Sequence, residues 1–220
     1  MKATLNNKTQ SKDNMASSKV EFEPNWFEEA PRKNSYRSIF KWGDPMGFKH
    51  PNKRLYNMLK DVFELTDKDF KSPVNEGHDE VTVNSPPNLD QKIVQKIADI
   101  VGEANLGFDD YSRVKYSNGK TAEESIRLRN AINGPLTDLV VHPRSKEDIR
   151  EIVRICNQER IPIYVFGGGS SVNLGFQPAK GGITLVMNTH MNQIIHLNET
   201  NQTVTVQPGM MGPDYESSLN

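Results

Sequence analysis

Between Val165 and Phe176 the chain reads V-F-G-G-G-S-S-V-N-L-G-F, an apolar run that stops on three consecutive glycines and two serines. Glycine weakens a strand and costs backbone entropy, so such a run has to serve a turn or a close approach of the main chain to something else. Consecutive glycines let successive backbone N–H groups converge into a concave nest for an anion. The missing Cβ atoms also let a phosphate come close to the main chain. Ser170 and Ser171 add hydroxyl donors at the rim, and Asn173 an amide. Two familiar phosphate loops do not fit. No Gly-Lys-Ser/Thr follows, and Gly167-x-Gly169 has Val172 where the dinucleotide-binding fingerprint has its third glycine. On pattern alone, a bare tight turn and an anion cradle both stay open.

The other side chains able to do chemistry are scattered. His50, His78, His142, His190 and His196 include no i,i+4 pair and no acidic or cysteine partner in a metal-binding motif, so no metal site is expected. The lone Cys156 falls on the apolar face of a helical pattern and reads as core, not as a nucleophile. Arg127 and Arg129 could meet a phosphate, but on a polar segment they read as solvated. Pro208-Gly209 reads as a tight turn.

The elements that must position the glycines follow from periodicity. Leu139-Val140-Val141 is a short apolar strand closed by Pro143. Ser145 caps the next helix, with Asp148 in the capping-box place and Ile149, Ile152, Val153 and Cys156 inward. Ile161 to Phe166 is the following strand and runs straight into the glycines. Strand, helix and strand in this order imply a right-handed crossover and a parallel pair. The loop therefore leaves the end of a parallel strand, the edge at which open α/β sheets bind ligands. Ile183 to Met187 gives another strand, and Ile194–His196 with Thr203–Val206 a hairpin around N-E-T-N-Q. A last helix starts at Pro213 and stops at Asn220 after about two turns.

Upstream, residues 1–20 are polar and read as a disordered arm. Trp26, Phe27, Tyr36, Phe40, Trp42 and Phe48 then fall among Pro and Gly in an irregular segment expected to wrap on its own domain. Pro51 starts a helix carrying Leu55, Met58, Leu59, Val62 and Phe63, and residues 66–84 read as a loop. Pro86-Pro87 opens a second helix with Ile93, Val94, Ile97, Ile100 and Val101 on one face and Gly102 near its end.

Composition bounds the function. The 220 residues carry 27 basic and 28 acidic side chains, which gives no electrostatic footprint for nucleic acid. One cysteine provides no disulfide framework. No charged-then-apolar leader is present, so the three N-x-T triplets at Asn7, Asn198 and Asn201 read as coincidental and the location expected is cytoplasmic.

The runs D-L-V-V-H-P-R-S-K-E-D-I-R-E-I-V-R-I-C-N-Q, P-I-Y-V-F-G-G-G-S-S, M-N-T-H-M-N-Q-I and V-Q-P-G-M-M-G-P-D-Y-E together resemble flavoproteins of the vanillyl-alcohol oxidase family, with its PCMH-type FAD-binding domain. Lys41-Trp42-Gly43, D-D-Y-S-R-V and S-I-R-L-R-N make the chain most similar to the alkyldihydroxyacetonephosphate synthase subgroup. The resemblance is strongest over 108–220 and thinner over 36–107.

It implies that Val165, Phe166, Gly167, Gly168, Gly169, Ser170 and Ser171 hold the FAD pyrophosphate by backbone amides. The loop has no histidine, so the flavin is expected to be non-covalent. Met187-Asn188 stands where the family often has a Leu-Asp pair. The fold expected is α+β or α/β. An N-terminal helical region precedes the first βαβ-containing half of the FAD-binding domain, truncated at Asn220. By residue, the arm covers 1–20, the aromatic-rich segment and small helical region 21–107, a connecting segment 108–134 and the incomplete FAD domain 135–220.

The catalytic residues and the part that meets a small-molecule or lipid-like substrate are expected beyond Asn220. The activity implied is that of an alkylglycerone-phosphate synthase, which exchanges a fatty acid for a fatty alcohol. An FAD-linked D-2-hydroxy-acid dehydrogenase acting on D-lactate or glycolate, and a non-catalytic remnant, are the alternatives. Membrane-surface association and a homodimer stay open at this level.

Overall fold

The computed structural model describes residues 31–43, 54–71 and 75–219. The expected arm, Trp26, Phe27, Phe48 and Pro51 lie outside the described residues. The described residues fall into two units, 54–71 in the smaller and 31–43 with 75–219 in the larger.

In the larger unit, Ser35 caps a one-turn helix, α1 (Tyr36–Phe40), by accepting from the Ser38 N–H. That turn buries Tyr36, Ile39 and Phe40 against Val81, Val114 and Leu128, so these aromatics pack on their own domain. Trp42 stays 60% exposed.

The smaller unit holds α2 (Arg54–Phe63), on the expected period, and a five-residue α3 (Asp67–Lys71) inside the stretch read as loop. Asp67 joins the two by accepting from Tyr56 Oη and from Lys60 Nζ, and the Tyr56 and Phe70 rings meet edge to face at 4.8 Å. A helix this short shows no periodicity to read.

Back in the larger unit, α4 (Gln91–Val101) starts at Asp90, which caps the Lys92 N–H, and not at Pro86-Pro87. A short strand β1 (Leu106–Gly107) follows, then α5 (Asp110–Lys115) and α6 (Ala122–Arg129), in the stretch expected as a connecting segment. The signals for both helices are local caps, Asp109 for α5 and a complete Thr121–Glu124 capping box for α6.

The three apolar runs fold as read: β2 (Leu139–Val141), β3 (Ile163–Phe166) and β4 (Ile183–Val186), with α7 (Lys146–Glu159) between β2 and β3. The sheet order is β1-β2-β4-β3, with β1 antiparallel and the other three parallel. β2 and β3 are thus parallel without pairing directly, because β4 is inserted between them. Being central, β4 is buried on both faces, whereas Val165 on the edge strand β3 is 56% exposed.

One face of the sheet packs Leu139, Val141, Ile183 and Leu185 against Ile97 and Val101 of α4 and Ile152 and Cys156 of α7. Ile155 takes the inward place expected for Val153, which is 45% exposed. The opposite face gathers Val140, Phe166 and Val186 with Tyr116 and Phe176. Beyond the sheet, β5 (Ile194–Asn198) and β6 (Thr203–Val206) form the expected antiparallel hairpin, and α8 (Gly212–Leu219) ends the described chain.

Candidate functional site

Parallel pairing aligns the carboxyl ends of β2, β3 and β4 along one edge, with Val141 opposite Leu185 and Phe166 opposite Val186. The residues that leave this edge are His142, the Gly167–Ser171 loop and Met187-Asn188-Thr189. The structure therefore brings the seven residues singled out from the sequence to the ligand-binding edge of the sheet.

Their surroundings differ along the run. Phe166 is buried and meets the rings of Tyr116 and Phe176 edge to face, at 4.9 and 5.8 Å. Gly169 has φ +69°, and a Cβ there would lie 2.3 Å from Cζ of Phe166, so both backbone and packing demand glycine. Gly167 and Gly168 lie beside the second turn, where added Cβ atoms would reach Pro208 O at 3.8 Å and Met211 Cε at 3.6 Å. That second turn is itself tied down by the Gly209 N–H donating to Met191 O at 2.8 Å. Ser170 is exposed. Ser171 donates its hydroxyl to Oδ1 of Asn173 at 3.0 Å, and the same oxygen accepts from the Gly175 N–H.

The loop is pinned at both ends by its carbonyls. Phe166 O accepts from the Met187 N–H at 3.0 Å, and Ser171 O from the Lys120 N–H at 2.7 Å. In a trans peptide the N–H points opposite to the preceding C=O. The N–H groups of Gly167 and Val172 are thereby turned away from the protein groups that hold the loop. Among the described residues, no backbone N–H from Gly167 through Val172 finds a protein acceptor. Six consecutive donors without an acceptor among the described residues, at a sheet edge, are suited to an anion that brings several acceptor oxygens.

Three further groups have partners of their own, and of these the sequence reading left Lys120 unmentioned and gave His142 and His190 no role in metal binding. The Lys120 ammonium bonds Ile39 O and, at 3.0 Å, Lys41 O. Burial, helped by the Lys115 charge, lowers it to about 8. His142 shares a 2.7 Å hydrogen bond with Thr189 Oγ1, and burial, then His190, lowers its pKa. His190 bonds Asn105 Oδ1 at 2.8 Å.

Arg127 and Arg129 are not at the loop, nor simply solvated. Arg127 bonds Asn118 and pairs with Glu123, and Arg129 lies 5.5 Å over the Phe40 ring. Burial pushes the Cys156 thiol up to about 11, which fits its place in the core. Among the described residues no cluster of three His, Cys, Asp or Glu side chains is able to hold a metal.

Residues 137–220 match the FAD binding domain family. The chain carries an FAD-binding domain.

Among curated proteins, the glycolate oxidase subunit GlcD of Bacillus subtilis is 30% identical over 126 residues, covering 57% of this chain and 25% of that protein. Alkyldihydroxyacetonephosphate synthase of Trypanosoma brucei brucei is 22% identical over 177 residues, 77% of this chain and 29% of the synthase. A solved structure of an alkyldihydroxyacetonephosphate synthase superposes with a TM-score of 0.64 at 24% identity, over 75% of this chain and 32% of that one. The fold is thus shared with part of that synthase structure, and the chain spans 25% and 29% of the length of these two curated relatives.

The FAD-binding domain and the residues present fit each other. A pyrophosphate brings several acceptor oxygens, and the loop offers N–H donors without an acceptor among the described residues, the first three on glycines with no Cβ in the way.

Proposed function

We propose that Val165 to Ser171 hold the pyrophosphate of a non-covalently bound FAD, within a flavin-dependent enzyme of the alkyldihydroxyacetonephosphate synthase type. The observation that carries this reading is the run of six N–H groups, without an acceptor among the described residues, at the carboxyl edge of the parallel sheet and inside residues that match an FAD binding domain. When bound, FAD supplies reversible two-electron chemistry. This chain's residues bind and orient its diphosphate, and the loop has no His, Cys or Tyr to which a flavin could be attached.

Choice of the synthase reaction rests on the breadth of the match, which extends over 77% of this chain and so reaches upstream of the flavin domain. The second reading is an FAD-linked dehydrogenase of small 2-hydroxy acids, favoured by the higher identity to GlcD over a shorter stretch. Reduction of bound flavin by glycolate or D-lactate in the native protein supports the dehydrogenase. Exchange of a fatty acid for a fatty alcohol on an acylated dihydroxyacetone phosphate supports the synthase. With the synthase reading go a cytoplasmic protein and a lipid-like substrate met at a membrane surface, which cell fractionation tests.

A further inference from the structure

The segment S-N-G-K-T, Ser117 to Thr121, is held by a buried acid just beyond it, Glu124, that the FAD reading does not use. Glu124 is only 1% exposed, yet every contact it makes holds main chain or hydroxyl in place. Its Oε1 accepts from the Gly119 N–H at 2.8 Å. Its Oε2 accepts from the Thr121 N–H at 3.0 Å and from Thr121 Oγ1 at 2.8 Å.

The turn held in this way lies backbone to backbone against the end of the glycine–serine loop. The Lys120 N–H donates to Ser171 O, and a Cβ on Gly119 would sit 2.4 Å from that same oxygen. The ammonium of Lys120 ties the turn on its other side to Ile39 O and Lys41 O. The rest of the segment is equally fixed. Ser117 Oγ donates to Arg113 O and accepts from the Thr137 N–H, and Asn118 Nδ2 donates to Val114 O.

We propose that Gly119, Lys120 and Glu124 are positioning residues for the cofactor loop: they hold the Ser171 carbonyl and so aim the Val172 N–H away from the protein, toward the bound diphosphate. The proposal rests on the FAD-pyrophosphate reading above. A buried carboxylate spent wholly on one tight turn is costly unless the position of that turn matters. Among the described residues, the loop atom that the turn meets through a hydrogen bond is the Ser171 carbonyl, which sets the direction of the Val172 N–H.

The test is FAD affinity, by quenching of flavin fluorescence, set beside thermal stability and amide exchange of residues 167–172. It is run on this chain and on Gly119→Ala, Glu124→Ala, Glu124→Gln and Ser145→Ala. Ser145 caps α7 and lies in neither the loop nor the turn, so its variant controls for lost stability alone.

Gly119→Ala and Glu124→Ala are expected to weaken FAD binding about tenfold or more, the worth of a hydrogen bond to a charged group, and to speed exchange in the loop. Glu124→Gln keeps an oxygen for the Gly119 N–H and is expected to recover much of the affinity. Ser145→Ala is expected to lower the melting temperature and leave the affinity unchanged.

Wild-type affinity in a folded Gly119→Ala overturns the proposal. If that variant does not fold, wild-type affinity in Glu124→Ala overturns it, as does a loss of affinity in Ser145→Ala that follows stability equally. Failure of the unsubstituted chain to bind FAD overturns the underlying reading instead.

Discussion

Gly169 is where backbone, packing and function meet in one residue. Its φ of +69° and the Phe166 ring 2.3 Å from any added Cβ leave no room for another side chain. Gly169→Ala is expected to cost about 1–2 kcal/mol of stability from the left-handed backbone alone, with more from the displaced ring, and urea unfolding measures it. The sequence signalled this glycine through its run. It could not distinguish a turn from a cradle, because that difference lies in where the N–H groups of Gly167 to Val172 end up. Thr184 makes the opposite case. It is fully buried on β4, and its hydroxyl has no hydrogen-bond partner among the described residues. Thr184→Val is isosteric and removes an unsatisfied polar atom, so it is expected to raise stability by about 1 kcal/mol, seen as a higher urea midpoint at unchanged slope. A flavin held only by backbone donors is expected to be released into the supernatant by acid precipitation of the loaded protein. Flavin that stays with the pellet contradicts the non-covalent assignment.

At the scale of elements, the apolar strands β2, β3 and β4, the β5–β6 hairpin and the start of α8 were legible, while the two-residue β1 and the helices α3, α5 and α6 were not. Leu139–Val141, Ile163–Phe166 and Ile183–Val186 announced themselves as apolar runs long enough to bury. Insertion of β4 between β2 and β3 was not legible, since hydrophobic runs carry no record of neighbour order. α5 and α6 went unread because their buried residues are few, yet the T-A-E-E spacing of the α6 capping box was present in the sequence and gave the signal. The turn before α6 holds Lys120, whose pKa burial lowers to about 8. An unfolded lysine keeps its proton to a higher pH, so between about 8 and 10 the unfolded chain binds more protons than the folded one. This site is therefore expected to make stability rise with pH across that window, the reverse of what a salt-bridged lysine does. Urea unfolding at several pH values, compared with Lys120→Met, checks the sign: the rise contributed by this site disappears in the variant.

At the scale of the molecule, the parallel sheet, its carboxyl edge and the upstream turn that holds Ser171 are proposed to act as one positioning device for a diphosphate. The glycine loop, Gly167–Ser171, lies within the residues of this chain that match an FAD binding domain. What it grips is therefore expected to be the pyrophosphate end of the cofactor and not the flavin ring. That distinction gives the most direct test, because FAD has a pyrophosphate, FMN has a single phosphate, and ADP has the pyrophosphate with no flavin. Titration of the chain with FAD and with FMN, followed by competition with ADP, separates the contributions. The account predicts that FAD binds more tightly than FMN by about tenfold or more and that ADP displaces it. Equal binding of FAD and FMN, or FAD that ADP does not displace, would contradict the assignment of the Gly167–Ser171 loop to the pyrophosphate.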